Sequence, residues 1–237
     1  MTIIDYFCYK IEDYDEEDPE ACEEKKSKFE GHWAGFEFGF IGLTADKNFI
    51  NGDYAYSNRP FRSWNFGINL IPVNIPLIAE NFGIVTGIGM GWKNYHFANQ
   101  YLLTTDEQGV SFEAPANPDS KITRNRLSTF YLSMPLAFEL QFPIRHHKDK
   151  FFLQLGGYGN LKLDSDYRYE IETNGVTEEK KLDGDFYLAD LEYGLTARVG
   201  FDNLNLFANY SMNELFRNNS GPAVHPVTVG IMVIPFY

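Results

Sequence analysis

The chain has 237 residues, a formal net charge of −13 and an aromatic content of 16%. This length fits one all-β domain or two smaller domains, and the negative charge argues against nucleic-acid binding, which requires a basic surface. No apolar run approaches the roughly 18 residues that a spanning helix needs. A membrane β-barrel is still compatible with the sequence, because a spanning strand needs only about 9–11 alternating residues.

Residues 1–30 differ in composition from the rest of the chain. Nine of the thirteen residues in 12–24 are acidic, which predicts a solvated, flexible tail. A calcium loop is the alternative, but Asp18 occupies the position where an EF-hand loop requires glycine. Cys8 and Cys22 are either free thiols or, in an exported chain, a disulfide pair. The first residues lack the basic start and apolar core of a secretory signal, so none is predicted.

From Gly31 onward the sequence alternates between apolar and polar residues with a period of two. The segment FYLSMPLAFELQF (130–142) is the clearest example, with an apolar residue at every even position. This period predicts β-strands. Eight are expected, near 32–43, 63–76, 82–97, 127–142, 150–163, 186–200, 204–212 and 226–236.

The links between these strands alternate strictly between long and short. The long links are 44–62, 98–126, 164–185 and 213–225. In an up-and-down barrel, alternate links lie at the same rim, and outer-membrane barrels combine short periplasmic turns with long extracellular loops. Residues 31–237 are therefore predicted to form an all-β, eight-stranded antiparallel up-and-down transmembrane β-barrel. The even strand number places the N-terminal tail and the C-terminus on the periplasmic side.

The polar faces of the strands are rich in glycine and small residues, which suits the crowded interior of a narrow barrel. The apolar faces are then expected to meet lipid. Six charged residues of both signs fall on the polar faces, and because buried charges need partners we expect them to form a structural ion-pair network in the lumen. They are Glu37, Lys93, Glu139, Lys162, Glu192 and Arg198.

Aromatic residues are expected at both ends of the apolar band, as in the girdles of membrane barrels. Those nearer the short turns are Phe82, Phe142, Phe151 and Phe201, and those nearer the long links are Trp64, Trp92, Phe130 and Tyr210. Pro72, Pro76 and Pro135 interrupt the strand pattern, and either bulges or an earlier end of the second strand are expected there.

Four segments resemble the PorT-like outer-membrane β-barrel proteins of Bacteroidota. They are FEGHWAGFEFGF (29–40), FGIVTGIGMGWKNYHF (82–97), NRLSTFYLSMPLAFELQFP (125–143) and YGLTARVGFDNLNLFANYSMNELF (193–216). The resemblance implies an eight-stranded outer-membrane barrel, and one branch of that family is associated with type IX secretion. It carries over no site residues.

These patterns favour a non-enzymatic outer-membrane protein, acting as a structural scaffold or as a binding component of the cell envelope. Such a protein would meet outer-membrane lipid and a periplasmic or outer-membrane protein partner, for example in a secretion complex. A soluble lipocalin-like barrel that binds a small apolar ligand is the first alternative, and a membrane-embedded lipid-modifying enzyme is the second.

For an enzyme, the candidate side chains are histidines and serines near the membrane interfaces. They are His32, His96, His225, Ser63, Ser128 and Ser211. Catalysis would require a nucleophile, a base and an orienting acid in contact, and no motif brings these residues together. No cysteine and histidine spacing resembles a zinc site, so no catalytic residue, metal site or cofactor is predicted.

Overall fold

The alternating segments form twelve β-strands in a computed structural model, which describes residues 29–45, 48–49, 54–78, 81–97, 101–143, 150–201 and 203–234. The strands are β1 (Gly35–Ala45), β2 (Asn48–Phe49), β3 (Trp64–Ile78), β4 (Phe82–His96), β5 (Leu102–Thr105), β6 (Val110–Glu113), β7 (Lys121–Pro143), β8 (Lys150–Thr173), β9 (Val176–Asp183), β10 (Leu191–Phe201), β11 (Leu204–Ser211) and β12 (His225–Val233). In these ranges there is no helix that could span a membrane. Cys8, Cys22 and the acidic run lie outside the described residues.

Eight of the strands close into a ring. Their order is β1, β3, β4, β7, β8, β10, β11 and β12, with β12 pairing back onto β1. Every neighbouring pair is antiparallel. The predicted eight-stranded up-and-down topology is therefore confirmed. We call the two ends the long-loop rim and the short-turn rim.

The wall is taller at the long-loop rim than the sequence predicted. We expected loops over 98–126 and 164–185, but β7 already begins at Lys121, and β8 continues to Thr173 and pairs with β9. That prediction was wrong because these segments have few apolar residues and thus lack a clear hydrophobic alternation. All eight residues of β9 are exposed, so its partner strand, and not burial, determines that it is a strand.

The lipid-facing band has the dimensions of an outer-membrane barrel. Ten positions separate Phe82 from Trp92 on β4, which at roughly 3.3 Å per residue and a tilt of about 40° corresponds to about 25 Å. The rings of Trp92 and Phe130 stack with centroids 5.0 Å apart, and those of Phe142 and Phe151 are 6.0 Å apart at the other rim. Aromatic clusters thus mark both edges of the apolar band.

The chain enters the barrel just before β1. A strand was expected from residue 32, but β1 begins at Gly35, whose φ is +154°. A Cβ at Gly35 would lie 2.3 Å from the carbonyl oxygen of Val233, so no other residue fits without a shift. Phe29 and Trp33, which precede this corner, are 3% and 2% exposed. The segment 29–34 therefore fills the lumen at the short-turn rim.

The inward turn of residues 29–34 also explains why prolines are tolerated in β3. The β1–β3 pairing runs only from Phe40↔Trp64 to Gly35↔Asn69, so in the described structure residues 70–78 pair with β4 alone. Pro72 and Pro76 lie on this edge, where a missing N–H is tolerated. Register shifts occur between Asn69 and Ile71 and between Pro76 and Ile78, as expected for bulges, and β3 continues to Ile78. Pro135 pairs with Tyr158 without a register shift, so the bulge expected there is wrong.

Candidate functional site

The lumen at the short-turn rim is organised around the carboxylate of Glu139, which is fully buried. The backbone N–H of His32 donates to Glu139 Oε2 at 2.9 Å, and His32 Nδ1 lies 2.7 Å from Oε1. Gln141 and Gln154 donate their side-chain N–H groups to the same carboxylate, at 2.6 and 2.5 Å. The His32 ring stacks on Phe152 at 4.0 Å. Glu139 thus holds the entering segment in place.

A second cluster lies deeper in the lumen and contains a buried ion pair. Arg198 Nη1 lies 2.6 Å from Glu37 Oε1, and the Asn69 side chain donates to that oxygen at 2.7 Å. The guanidinium of Arg198 also sits over the rings of Trp33 and Phe207, at 4.6 and 5.5 Å. This packing compensates both charges and leaves little space between opposite walls.

A third cluster lies nearer the long-loop rim. Lys93 Nζ lies 2.5 and 2.7 Å from the two carboxylate oxygens of Glu192. The hydroxyl of Tyr158 donates to the same carboxylate at 2.8 Å. The cavity beside it has a volume of about 30 Å³, enough for a water molecule but not for a solute.

The structure thus places the six predicted charged residues in separate groups. Glu37 meets Arg198, and Lys93 meets Glu192, whereas Lys162 contacts Asp185 and lies 3.5 Å from Asp190 in the long-loop rim. Glu139 contacts His32 in the lumen, whereas the sequence pattern predicts a position near a membrane interface for His32. The sequence pattern hardly predicts this contact. His32 lies before β1, and its side chain reaches the lumen only because the chain turns at Gly35.

The long-loop rim contains a hydrophobic core of its own. We call it the rim core, and its buried residues are Ile41, Leu43, Tyr95, Phe97, Leu103, Val110, Leu127, Tyr167, Phe186, Leu188, Leu215, Phe216 and Val224. These side chains come from the upper parts of barrel strands and from the links above them. The links are therefore packed against the barrel mouth.

Hydrogen bonds also connect the elements of this rim. The N–H of Leu103 in β5 donates to the Tyr167 hydroxyl of β8 at 3.0 Å, and the N–H of Val110 in β6 donates to the carbonyl of Ser220 at 2.7 Å. A β-bridge joins Leu188 to Phe216. The β5–β6 hairpin and two other links thus form one connected surface.

The side chains considered for catalysis are engaged elsewhere. Ser63 Oγ accepts the backbone N–H of His96 at 2.9 Å, Ser128 donates to the Asn94 side chain at 2.9 Å, and Ser211 donates to the carbonyl of Asn213 at 2.9 Å. None of these three contacts involves an imidazole. Across the described ranges, no group of three or more His, Cys, Asp or Glu side chains is placed to hold a metal ion.

Comparison with known proteins identifies the family. A family model described as "Outer membrane protein beta-barrel domain" matches residues 25–217. The chain belongs to this family. It is an outer-membrane β-barrel protein that sits in the lipid bilayer, and the lipocalin-like alternative is not favoured, because the lumen is lined by polar side chains and the apolar ones face outward. No curated protein matched the chain.

Among solved structures, the chain is similar to Ail, the attachment invasion locus protein of Yersinia pestis. One Ail structure shares 9% identity, with 84% of this chain and 98% of that chain covered and a TM-score of 0.28. A second, of Ail in complex with the heparin analogue sucrose octasulfate, shares 10% identity, with coverages of 84% and 94% and the same TM-score of 0.28.

Proposed function

We propose that this protein is a non-enzymatic binding component or scaffold of the outer membrane, and that its binding surface is the long-loop rim. One observation carries the proposal: the barrel interior is filled by paired charges, while the links above it are ordered around the rim core. A filled lumen argues against transport. Because the rim is already ordered, it loses little conformational entropy when a partner binds, which favours recognition.

The absence of transport is directly testable. The wild-type protein, reconstituted into planar lipid bilayers, is expected to show no unitary conductance, because Lys93, Glu192, Arg198 and Glu37 occupy the lumen together with the segment 29–34. A porin in the same bilayers serves as the positive control. Stable conductance steps that disappear when the protein is omitted would contradict the proposal.

The β8–β9 hairpin is a long element of the proposed surface, and all residues of β9 are exposed. Its tip is the turn Asn174–Gly175, with φ values of +53° and +77°, which matches a type I′ hairpin turn. Ile171 pairs with Glu178 two pairs further down the hairpin. Because hydrogen-bonded and non-hydrogen-bonded pairs alternate along antiparallel strands, deleting 172–173 and 176–177 shortens the hairpin by two residues on each side and keeps its own turn.

This shortened hairpin tests the binding role. Native membranes containing either the wild-type or the shortened protein would be chemically cross-linked, and the cross-linked partners identified by mass spectrometry. We expect partners of the wild-type protein to be lost from the shortened one. Identical partner sets would refute binding through the hairpin.

The acidic tail supplies a second candidate contact, supported by its sequence alone. Nine carboxylates in residues 12–24 would attract a basic partner, with an attraction that weakens as salt rises. A chain lacking residues 1–28 keeps the segment that fills the lumen and serves as the matched control for the shortened hairpin. A partner that is lost only from this truncated chain, and that dissociates in high salt, would identify the tail as its docking site.

The proposal also includes a more specific family, a larger complex and an orientation in the membrane. Similarity of the four quoted segments supports a PorT-like protein of Bacteroidota that functions within a larger envelope complex such as a secretion system.

The long links support an orientation with the long-loop rim outside and both termini in the periplasm. A Val176→Cys variant in a Cys8→Ser/Cys22→Ser background, at a residue 63% exposed, should react with an impermeant maleimide on intact cells. Reaction only after permeabilisation would reverse the orientation.

A further inference from the structure

A row of basic side chains crosses the outer wall above the aromatic girdle. The ladder pairs His96↔Arg126, Arg126↔Arg168 and Arg168↔Lys181 align one residue each from β4, β7, β8 and β9. We call these four residues the basic row. His96 lies four positions beyond Trp92, and Arg126 lies four positions before Phe130, so the row shares the lipid-facing side of its strands.

The height of this row matches the polar layer of a bilayer. Four residues at roughly 3.3 Å each and a tilt of about 40° raise the row about 10 Å above the girdle. The headgroup layer extends about 5–8 Å beyond the hydrocarbon on each side, and arginine side chains can reach down along apolar surface. The row is therefore within reach of lipid headgroups.

A cleft with excess positive charge adjoins the row. We call it the basic cleft; it has a volume of about 540 Å³, and its lining includes Arg59, Arg62, Lys121 and Arg124. Glu170 is the one carboxylate among the described lining residues. Such a concentration of positive charge contrasts with the net charge of −13 for the whole chain.

Carboxylates pair with several of these cations. Arg124 pairs with Glu170 at 2.8 Å, Arg168 with Asp166 at 3.0 Å, and Lys181 with Asp183 at 2.6 Å. In contrast, Nε of Arg126 is buried and has no hydrogen-bond partner among the described residues. An unsatisfied buried donor on a charged group is costly, and the attraction of an anion beside the guanidinium would offset part of this cost.

The positive charges around His96 also favour an anion between the basic cleft and the basic row. Burial lowers the pKa of the imidazole most, and four guanidinium groups lower it further, to about 4. They belong to Arg59, Arg62, Arg124 and Arg126. Four positive groups therefore converge on one half-buried position, as they do around bound phosphates.

We propose that the basic cleft and Arg126 bind the phosphate of a lipid headgroup in the leaflet at the long-loop rim. A lipid is favoured over a soluble anion because the basic row lies on the same outward side as Trp92 and Phe130, directly above their girdle. A phosphate there would be held by guanidinium groups while the acyl chains lie along the apolar wall. This inference does not depend on the proposed protein-binding role of the rim.

The test measures lipid affinity of the full chain in detergent micelles at low salt. The probe is fluorescently labelled diphosphoryl lipid A, a disaccharide glycolipid with two phosphates, and its fully dephosphorylated form is the matched ligand. Arg62→Gln/Arg126→Gln should weaken binding of the diphosphoryl probe at least tenfold, and wild-type affinity should fall as salt rises. Arg217→Gln removes the same kind of charge from the pair with Asp190, outside the cleft, and should stay within twofold of wild type.

Two competition measurements distinguish a lipid phosphate from a soluble anion. Inorganic pyrophosphate carries the charge without acyl chains, and a heparin-derived hexasaccharide represents a soluble sulfated glycan. The proposal expects both to compete with the glycolipid at least a hundredfold more weakly than unlabelled glycolipid does. Competition by either at equal concentration would overturn the lipid assignment, as would equal affinity for the phosphorylated and the dephosphorylated probe.

Folding is monitored by the resistance of the barrel to detergent unfolding before and after heating. Because Arg126 is partly buried, its substitution could impair folding. The exposed pair Arg62→Gln/Lys121→Gln then takes its place, with the same tenfold loss expected. Unchanged affinity in this folded double variant would refute the site.

Discussion

The membrane wall and the long-loop rim bury apolar side chains in opposite directions along the same strands. In β1, Phe36 and Phe38 point outward and are each 43% exposed to the surroundings, while Glu37 points into the lumen. Further along the inward face of that strand, Ile41 and Leu43 are buried in the rim core. The inward face thus changes from polar to apolar within four residues.

This inversion shows that the surrounding medium decides which face is apolar. Within the bilayer, apolar side chains gain by facing lipid, and polar ones must satisfy one another inside. Above the bilayer the exterior is water, so the hydrophobic effect drives the same strands to bury their apolar residues inward. The position of the change along each strand marks the membrane boundary.

The largest expected effect concerns the buried charges of the wall. Glu37→Gln removes the partner of Arg198 and leaves a buried charge uncompensated, so the free energy of unfolding should fall by about 3–5 kcal/mol. Urea unfolding in lipid vesicles measures the loss. The exposed pair of Arg217 and Asp190 in the rim is the control, and Asp190→Asn should cost less than about 1 kcal/mol. Equal losses would show that lumen and rim do not differ in dielectric environment.

The rim core should behave as the core of a soluble protein. Leu127→Ala deletes a fully buried side chain and is expected to cost about 2–5 kcal/mol through lost burial and the remaining cavity. The cost should be the same in detergent micelles and in vesicles, because Leu127 does not face lipid. A cost that depends on the lipid would place this residue in the membrane wall.

The wall should tolerate a charge less well than the rim surface. Leu136→Arg, near the middle of the lipid-facing band, is expected to destabilise the folded barrel in vesicles by about 2–4 kcal/mol. Val176→Arg introduces the same side chain at the exposed hairpin tip and should change stability by no more than about 0.5 kcal/mol. If Leu136→Arg folds into vesicles as stably as wild type, the lipid-facing assignment is wrong.

The smallest expected effect is a shift in titration at the boundary between wall and rim. The folded-state pKa of His96 is about 4, below the ordinary value of about 6.5, so folding favours the neutral ring. The stability this provides is present above about pH 6.5 and is lost as the pH falls towards 4. In Arg126→Gln, NMR titration should show the midpoint moving upward, because one positive charge is removed. An unchanged midpoint would show that Arg126 does not act on His96.

The sequence by itself determined the number of barrel strands, their up-and-down order and the lipid-facing side. A period of two over segments such as 130–142 fixes both the strand and its faces, because side chains alternate strictly across a sheet. The alternation of long and short links was also readable, since each rim collects every second link. These features depend on local pattern alone.

Tertiary structure decided what fills the lumen and how high the wall rises. Whether residues 29–34 continue β1 or turn inward depends on Gly35 and its close approach to Val233, a contact between the first and the last barrel strand. Glu139 meets His32 across 107 residues, and β9 is a strand only through its pairing with β8. Such contacts join distant residues whose local patterns are uninformative, so only the closed barrel brings them together.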